Sequence, residues 1–175
     1  MERPVEKVKE EVLDFFRVRY QNFLLDKEYP FDVTEAVLSI SFDELLDVQG
    51  RVDALKKARQ WKDFESIVIG FKRAMNILKG LASAMEINPS LFSEPVEKNL
   101  YQSFLKAREN ISRFLSQKDH ETALLEMTQM KKPIDDFFDG VMVMVEDEAI
   151  RNNRLALLDE IGKLFLRIAD FSKLT

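Results

Sequence analysis

The chain has 175 residues, 46% of them hydrophobic and 33% charged, with five glycines, five prolines and no cysteine. That length suits a single domain with a real core, and the apolar content excludes disorder as the main description. The missing cysteine excludes a disulfide scaffold, a thiolate metal site and a cysteine nucleophile, and a net charge of −5 argues against nucleic acid if taken only as a total.

Apolar residues recur at spacings of three and four throughout, glycine is scarce and strand-type alternation is absent, so the sequence predicts an all-α bundle of seven or eight helices. Pro4 suits a first-turn position, and Val5, Val8, Val12, Phe15, Phe16 and Phe23 form a stripe running to about Asp26. Tyr29–Pro30 breaks it. Asp32 with Glu35 predicts a capped short helix through Leu38, and Ser41 with Glu44 repeats the device for a helix carrying Leu45, Val48, Val52 and Leu55. Asp63 is expected to cap a helix with the stripe Ile67, Phe71, Met75 and Leu78. Residues 84–95 hold the breakers Asn88–Pro89 and Glu94–Pro95 and are expected to form a loop or linker within the single domain 1–175. A helix from Pro95 to about Ser116 follows, then one capped by Asp119 through Met130, one from about Ile134 to Met144 and a last one from the acidic Glu146–Glu148 to about Asp170.

Charge is segregated along this series. Residues 1–50 hold six Lys/Arg against twelve Asp/Glu, 51–80 hold eight against three, and 133–148 hold six acids and no base. An acidic protein of this kind can still turn a positive face to phosphate.

No Ser/His/Asp set, HExxH, P-loop or GxGxxG occurs, so no catalytic residue is assigned. His120 is expected in a solvated first turn, and the acids of 133–148 match no carboxylate cage, so no metal ligand is assigned either. Two segments offer the inventory that RNA contact needs. On a helix, Phe71, Met75 and Leu78 point inward while Lys72, Asn76 and Lys79 share the opposite face with Arg73 beside them, giving cations for phosphate and an amide for a base edge. In the last helix Arg151, Asn152 and Asn153 are read as outward candidates. Arg154 falls on the inward stripe between Ile150 and Leu157 and is read as a buried structural ion pair, with Asp139 its expected partner. Phe31, Phe42, Trp61 and Phe92 sit near helix ends, where core packing is the first expectation and base stacking the second.

The segment from Pro133 to Leu174, PIDDFFDGVMVMVEDEAIRNNRLALLDEIGKLFLRIADFSKL, resembles the C-terminal end of the β subunit of bacterial glycyl-tRNA synthetases. The pieces YPFDV from Tyr29, RVDAL from Arg51 and FKRAMNIL from Phe71 fit the same family in the same order. The resemblance implies a helical anticodon-binding domain of the type found in arginyl-tRNA synthetases, standing as a C-terminal piece of a longer, cytoplasmic subunit. It implies glycine tRNA, the α subunit and the rest of the β subunit as partners, and no membrane. It implies no cofactor in this domain, with ATP and magnesium belonging to the catalytic subunit. The alternative is a helical scaffold that binds another subunit without touching RNA, to which the acidic segments would point.

Overall fold

The structure, a computed structural model, describes residues 5–80 and 86–175. The expected helix start at Pro4 and the first two residues of the 84–95 loop lie outside the described residues. Among the described residues there are eight α-helices: α1 (Val5–Asp26), α2 (Phe31–Leu38), α3 (Leu45–Ala58), α4 (Phe64–Leu78), α5 (Pro95–Ser116), α6 (His120–Thr128), α7 (Lys131–Gly140) and α8 (Glu148–Leu166), with single 3₁₀ turns at Pro89–Leu91 and Phe171–Lys173.

Helix α4 lies against α8, α6 fills the space between α3 and α5, and α7 joins α5 to α4. Four rings knit the α4–α8 seam to the end of the chain: Phe71 lies 5.6 Å from Phe165 and 5.5 Å from Phe171, and Phe64 lies 6.0 Å from Phe171. Offset and tilted pairs at these separations add specificity to a large apolar burial. The two helices run antiparallel, since Phe71 meets Phe165 while one turn later a β-carbon on Gly162 would stand 2.9 Å from the Met75 sulfur. Glycine at 162 lets α4 approach. The last residues fold back onto α2, where the Asp170 amide donates to the Ala36 carbonyl at 2.8 Å.

Several expected boundaries shift for local reasons. Asp32 and Ser41 do not cap. Pro30 and Glu44 stand at those N-cap positions without side-chain cap bonds, Asp32 accepts from Thr175, and the Ser41 hydroxyl accepts from Arg51 at 2.9 Å. Asp63 occupies the N-cap of α4 but makes no cap bond, whereas Asp119 and Asp147 accept from the Thr122 and Ile150 amides at 3.0 Å. Helix α7 stops at Gly140 rather than Met144, because the backbone of Val141 turns extended beside the β-branched run Val141, Val143 and Val145.

The largest departure concerns α1. Its predicted stripe is not core: Val5, Val8, Val12, Phe15, Phe16 and Phe23 are all exposed, the two adjacent phenylalanines at 55%, and Leu24 is the helix's buried residue. Among the described residues α1 is buried on the bundle at its C-terminal end, through Leu24 and through Tyr20, whose hydroxyl donates to Gln49 at 2.6 Å. Among the described residues no helix is long and apolar enough to cross a membrane.

Candidate nucleic-acid interface

Helix α4 buries Phe64, Ile67, Phe71 and Ala74 and therefore turns Glu65, Ile69, Lys72 and Asn76 the other way, with Lys79 just past its end. Asn76 and Lys79 are exposed, and neither makes a hydrogen bond or ion pair among the described residues. Lys72 is half-buried, and its ammonium donates to the Leu174 carbonyl. Arg73 is exposed but leans sideways, its guanidinium 4.3 Å from the centre of the Phe138 ring on α7. Three of the four side chains thus sit on α4 and Lys79 follows its last residue, with Lys72 and Arg73 partly occupied by intramolecular contacts.

The wider basic block 51–80 does not converge into one positive face. Arg51 is buried and tied to Asp47 (2.8 Å), to the Ser41 hydroxyl and to the Ile168 carbonyl (3.3 Å), so it is a structural cross-brace. Lys57 pairs with Glu121 at 2.7 Å. Arg59 pairs with Asp32 at 2.7 Å and also donates to the Thr175 carbonyl at 2.9 Å, while Asp32 accepts the Thr175 amide at 2.9 Å. Burial raises the Asp32 pKa, but the Thr175 bonds and Arg59 outweigh it and hold the carboxyl below its ordinary value. Folding spends these cations on local partners, which composition counts as free.

The second candidate segment divides. The Arg151 guanidinium closes the turn ahead of α8, donating to the carbonyls of Val145 (3.0 Å) and Glu146 (3.4 Å). Asn152 is half-buried and without a hydrogen-bond partner among the described residues. Asn153 is not outward: it is 4% exposed, and its Oδ1 accepts the Asn88 amide at 2.7 Å, clamping the loop before α5. Because α4 and α8 are antiparallel, Asn76 and Lys79 head toward the N-terminal half of α8, which carries Asn152.

Arg154 is 5% exposed, and its Nε lies 2.8 Å from Glu97 Oε1, so the partner is Glu97 and not Asp139. Its other nitrogens donate to the Met142 carbonyl (2.8 Å) and the Ser93 hydroxyl (3.5 Å). Asp139 is exposed near the end of α7 and takes no part. Glu97 is fully buried, and its second oxygen accepts the amides of Ser93 (3.1 Å) and Glu94 (2.8 Å). Burial pushes this carboxyl up, but the Arg154 and Glu94 bonds reverse that and leave it below the ordinary range. One visible signal was Glu97 itself, three residues after the turn residue Glu94 and its following proline, the spacing of a helix-start acceptor.

His120 also departs from expectation. It is 5% exposed, wedged against Gly50, where a β-carbon would stand 2.8 Å from its ring, and Nε2 lies 3.4 Å from Asp47. Desolvation lowers its pKa, against the pull of Asp47 and with Arg51 and Lys118 adding to the depression. Phe92 is buried, Phe42 and Trp61 pack half-buried on the core, and Phe31 is 60% exposed.

Comparison with known proteins gives these features a context. The model of the DALR anticodon binding domain matches residues 67–169, from α4 through α8. The chain is also 44% identical over 173 residues to a glycine–tRNA ligase β subunit of Geotalea daltonii and 41% identical over 174 residues to that of Syntrophus aciditrophicus, with 99% of the chain covered in both. It is 42% identical over 169 residues to that of Myxococcus xanthus. The chain spans about a quarter of the length of these curated relatives.

Proposed function

The chain belongs to the DALR anticodon binding domain family, and from that membership we propose that it is the tRNA-binding part of a glycine–tRNA ligase β subunit. In this reading it holds the anticodon end of glycine tRNA while another subunit, supplied with ATP and magnesium, joins glycine to the acceptor end. The reading carries with it a cytoplasmic setting and, as protein partners, the α subunit and the rest of the β subunit. No step of the chemistry falls to this chain.

The observation that supports the reading most is the outward face of α4 toward its C-terminal end. Asn76 and Lys79 are exposed and unengaged, with Lys72 and Arg73 beside them. An amide there can both donate to and accept from a base edge, and the cations can neutralise phosphate. Asn152, on the N-terminal half of α8 toward which α4 runs, is a further candidate for contact. Arg151 and Asn153 are engaged inside the fold, by the turn ahead of α8 and by the Asn88 amide.

The test is a titration of the chain with glycine tRNA and with an anticodon-altered glycine tRNA across a salt series. Tight binding that weakens with salt and favours the native anticodon supports the reading, while no binding at low salt overturns it. Lys79→Ala is expected to weaken both tRNAs alike and to flatten the salt slope by about one. Asn76→Ala is expected instead to narrow the preference for the native anticodon.

A second reading, a helical scaffold that binds another part of the synthetase, draws on the uncovered apolar face of α1. It gains if tRNA binding fails in that titration.

A further inference from the structure

The outward face of α5 has no role in the surface just described. Its buried side chains are Glu97, Leu100, Phe104, Ala107 and Ile111, which turns Lys98, Gln102, Lys106, Glu109 and Arg113 to solvent at spacings of four, four, three and four. All five are exposed, and at 1.5 Å per residue the row runs roughly 22 Å along one rigid helix.

Its charges are unspent. Among the described residues Lys98 and Lys106 make no ion pair or hydrogen bond, and Arg113 donates only to Asn110 Oδ1 at 3.4 Å while lying over the Phe114 ring. Elsewhere on the surface Lys57, Lys118, Lys132 and Lys163 sit within 4 Å of a carboxylate, and the other exposed lysines without a partner among the described residues, Lys7, Lys9, Lys62 and Lys79, do not share a helix face with a row of this length. The shortage of acids along this row has a cause in the fold. Of the two acids inside α5, Glu97 is turned inward and consumed by Arg154, which leaves Glu109 as the acid in the row. A fourth cation, Arg167 at the end of α8, is held against the same helix by its 2.6 Å bond to the Ser112 hydroxyl.

We propose that this row is a second tRNA contact, a rail of cations that grips the sugar–phosphate backbone away from the bases. The proposal rests on the tRNA-binding reading above. Cations about 10–12 Å apart on a stiff helix neutralise phosphates along a strand without reading sequence, and the row offers no aromatic ring on which a base could stack. Binding through it is therefore electrostatic and indifferent to the anticodon, whereas the α4 surface carries the discrimination.

The experiment compares the chain with its Lys98→Gln/Lys106→Gln/Arg113→Gln variant against glycine tRNA and the anticodon-altered tRNA, from about 50 to 200 mM salt. The expected result is a loss of affinity of at least about tenfold at low salt, equal for both tRNAs, with the salt slope reduced by about three. Glu109→Lys is expected to act in the opposite direction, steepening the slope, which keeps the test independent of any loss of stability in the triple variant. An unchanged affinity and slope overturns the rail, and so does a change in the ratio between the two tRNAs without a change in slope. Failure of the unaltered chain to bind either tRNA is a different result: it overturns the tRNA-binding reading itself, and the rail with it.

Discussion

Arg154 and Glu97 are coupled so tightly that neither can be removed alone. Arg154→Ala leaves a fully buried carboxylate without its counter-charge and is expected to destabilise the fold by about 3–5 kcal/mol in urea unfolding. The double variant Glu97→Gln/Arg154→Met should recover much of that loss, because no uncompensated charge remains. If Arg154 instead contacted RNA, Arg154→Ala would leave stability unchanged and cut affinity. His120 supplies the pH dependence. Its folded-state pKa lies below its ordinary value, so the unfolded chain binds the proton more readily, and stability falls as pH drops through about 6.5 and below. Thermal unfolding at pH 7.5 and 5.5 should show that loss, and His120→Gln should shrink the part of it that belongs to this range. Glu97, Asp47 and Asp32 also have depressed values and add further losses only at more acid pH.

At the scale of the element, helical periodicity means different things on α1 and α4. Both carry apolar residues at spacings of three and four, yet Phe71 is 2% exposed in the ring cluster of the α4–α8 seam, whereas Phe15 and Phe16 face solvent. Phe71→Ala is therefore expected to cost about 3–5 kcal/mol. The double change Phe15→Ala/Phe16→Ala should stay within about 0.5 kcal/mol per site in the isolated chain. Chemical denaturation of the two variants side by side checks the contrast, and a large loss from the α1 variant would mean that its stripe is covered in solution. The caps follow the same lesson on a smaller scale. Asp119 and Asp147 accept from their helix starts, but Asp32 and Ser41, each with a glutamate three residues on, serve Thr175, Arg59 and Arg51. A carboxylate or hydroxyl takes the partner that packing brings to it.

Across the whole molecule, net charge is a poor guide to where an anion would bind. In the block with the largest positive excess in sequence, 51–80, three of the eight cations, Arg51, Lys57 and Arg59, end on carboxylates, and Lys72 and Arg73 are held by the Leu174 carbonyl and the Phe138 ring. Among the described residues the exposed cations without an ion pair include Lys79 just past α4 and Lys98 and Lys106 along α5, with Lys7, Lys9 and Lys62 scattered elsewhere. This sets a prediction for the whole chain: Asn76→Ala alters preference among anticodons, whereas Lys79→Ala and the α5 variants alter salt dependence, and a titration matrix of the variants resolves them. The outward face of the candidate residues on α4 was legible, because a face follows from spacing on one helix, while Asn153 on α8 turned out buried. Their engagement was not legible, because Leu174, Phe138 and Asn88 approach Lys72, Arg73 and Asn153 from distant parts of the chain.

The sequence by itself determined the all-α class, most helix boundaries, the inward turn of Arg154 and the family resemblance, since each depends on the periodicity, turn residues or contiguous motifs of a single segment. Only the tertiary structure decided that Arg154 meets Glu97, that His120 is buried on Gly50 and that the apolar stripe of α1 is left bare. Those outcomes depend on which helices come to lie side by side. A side chain's partner across such a seam is set by packing in three dimensions, and no spacing along one strand of text encodes it.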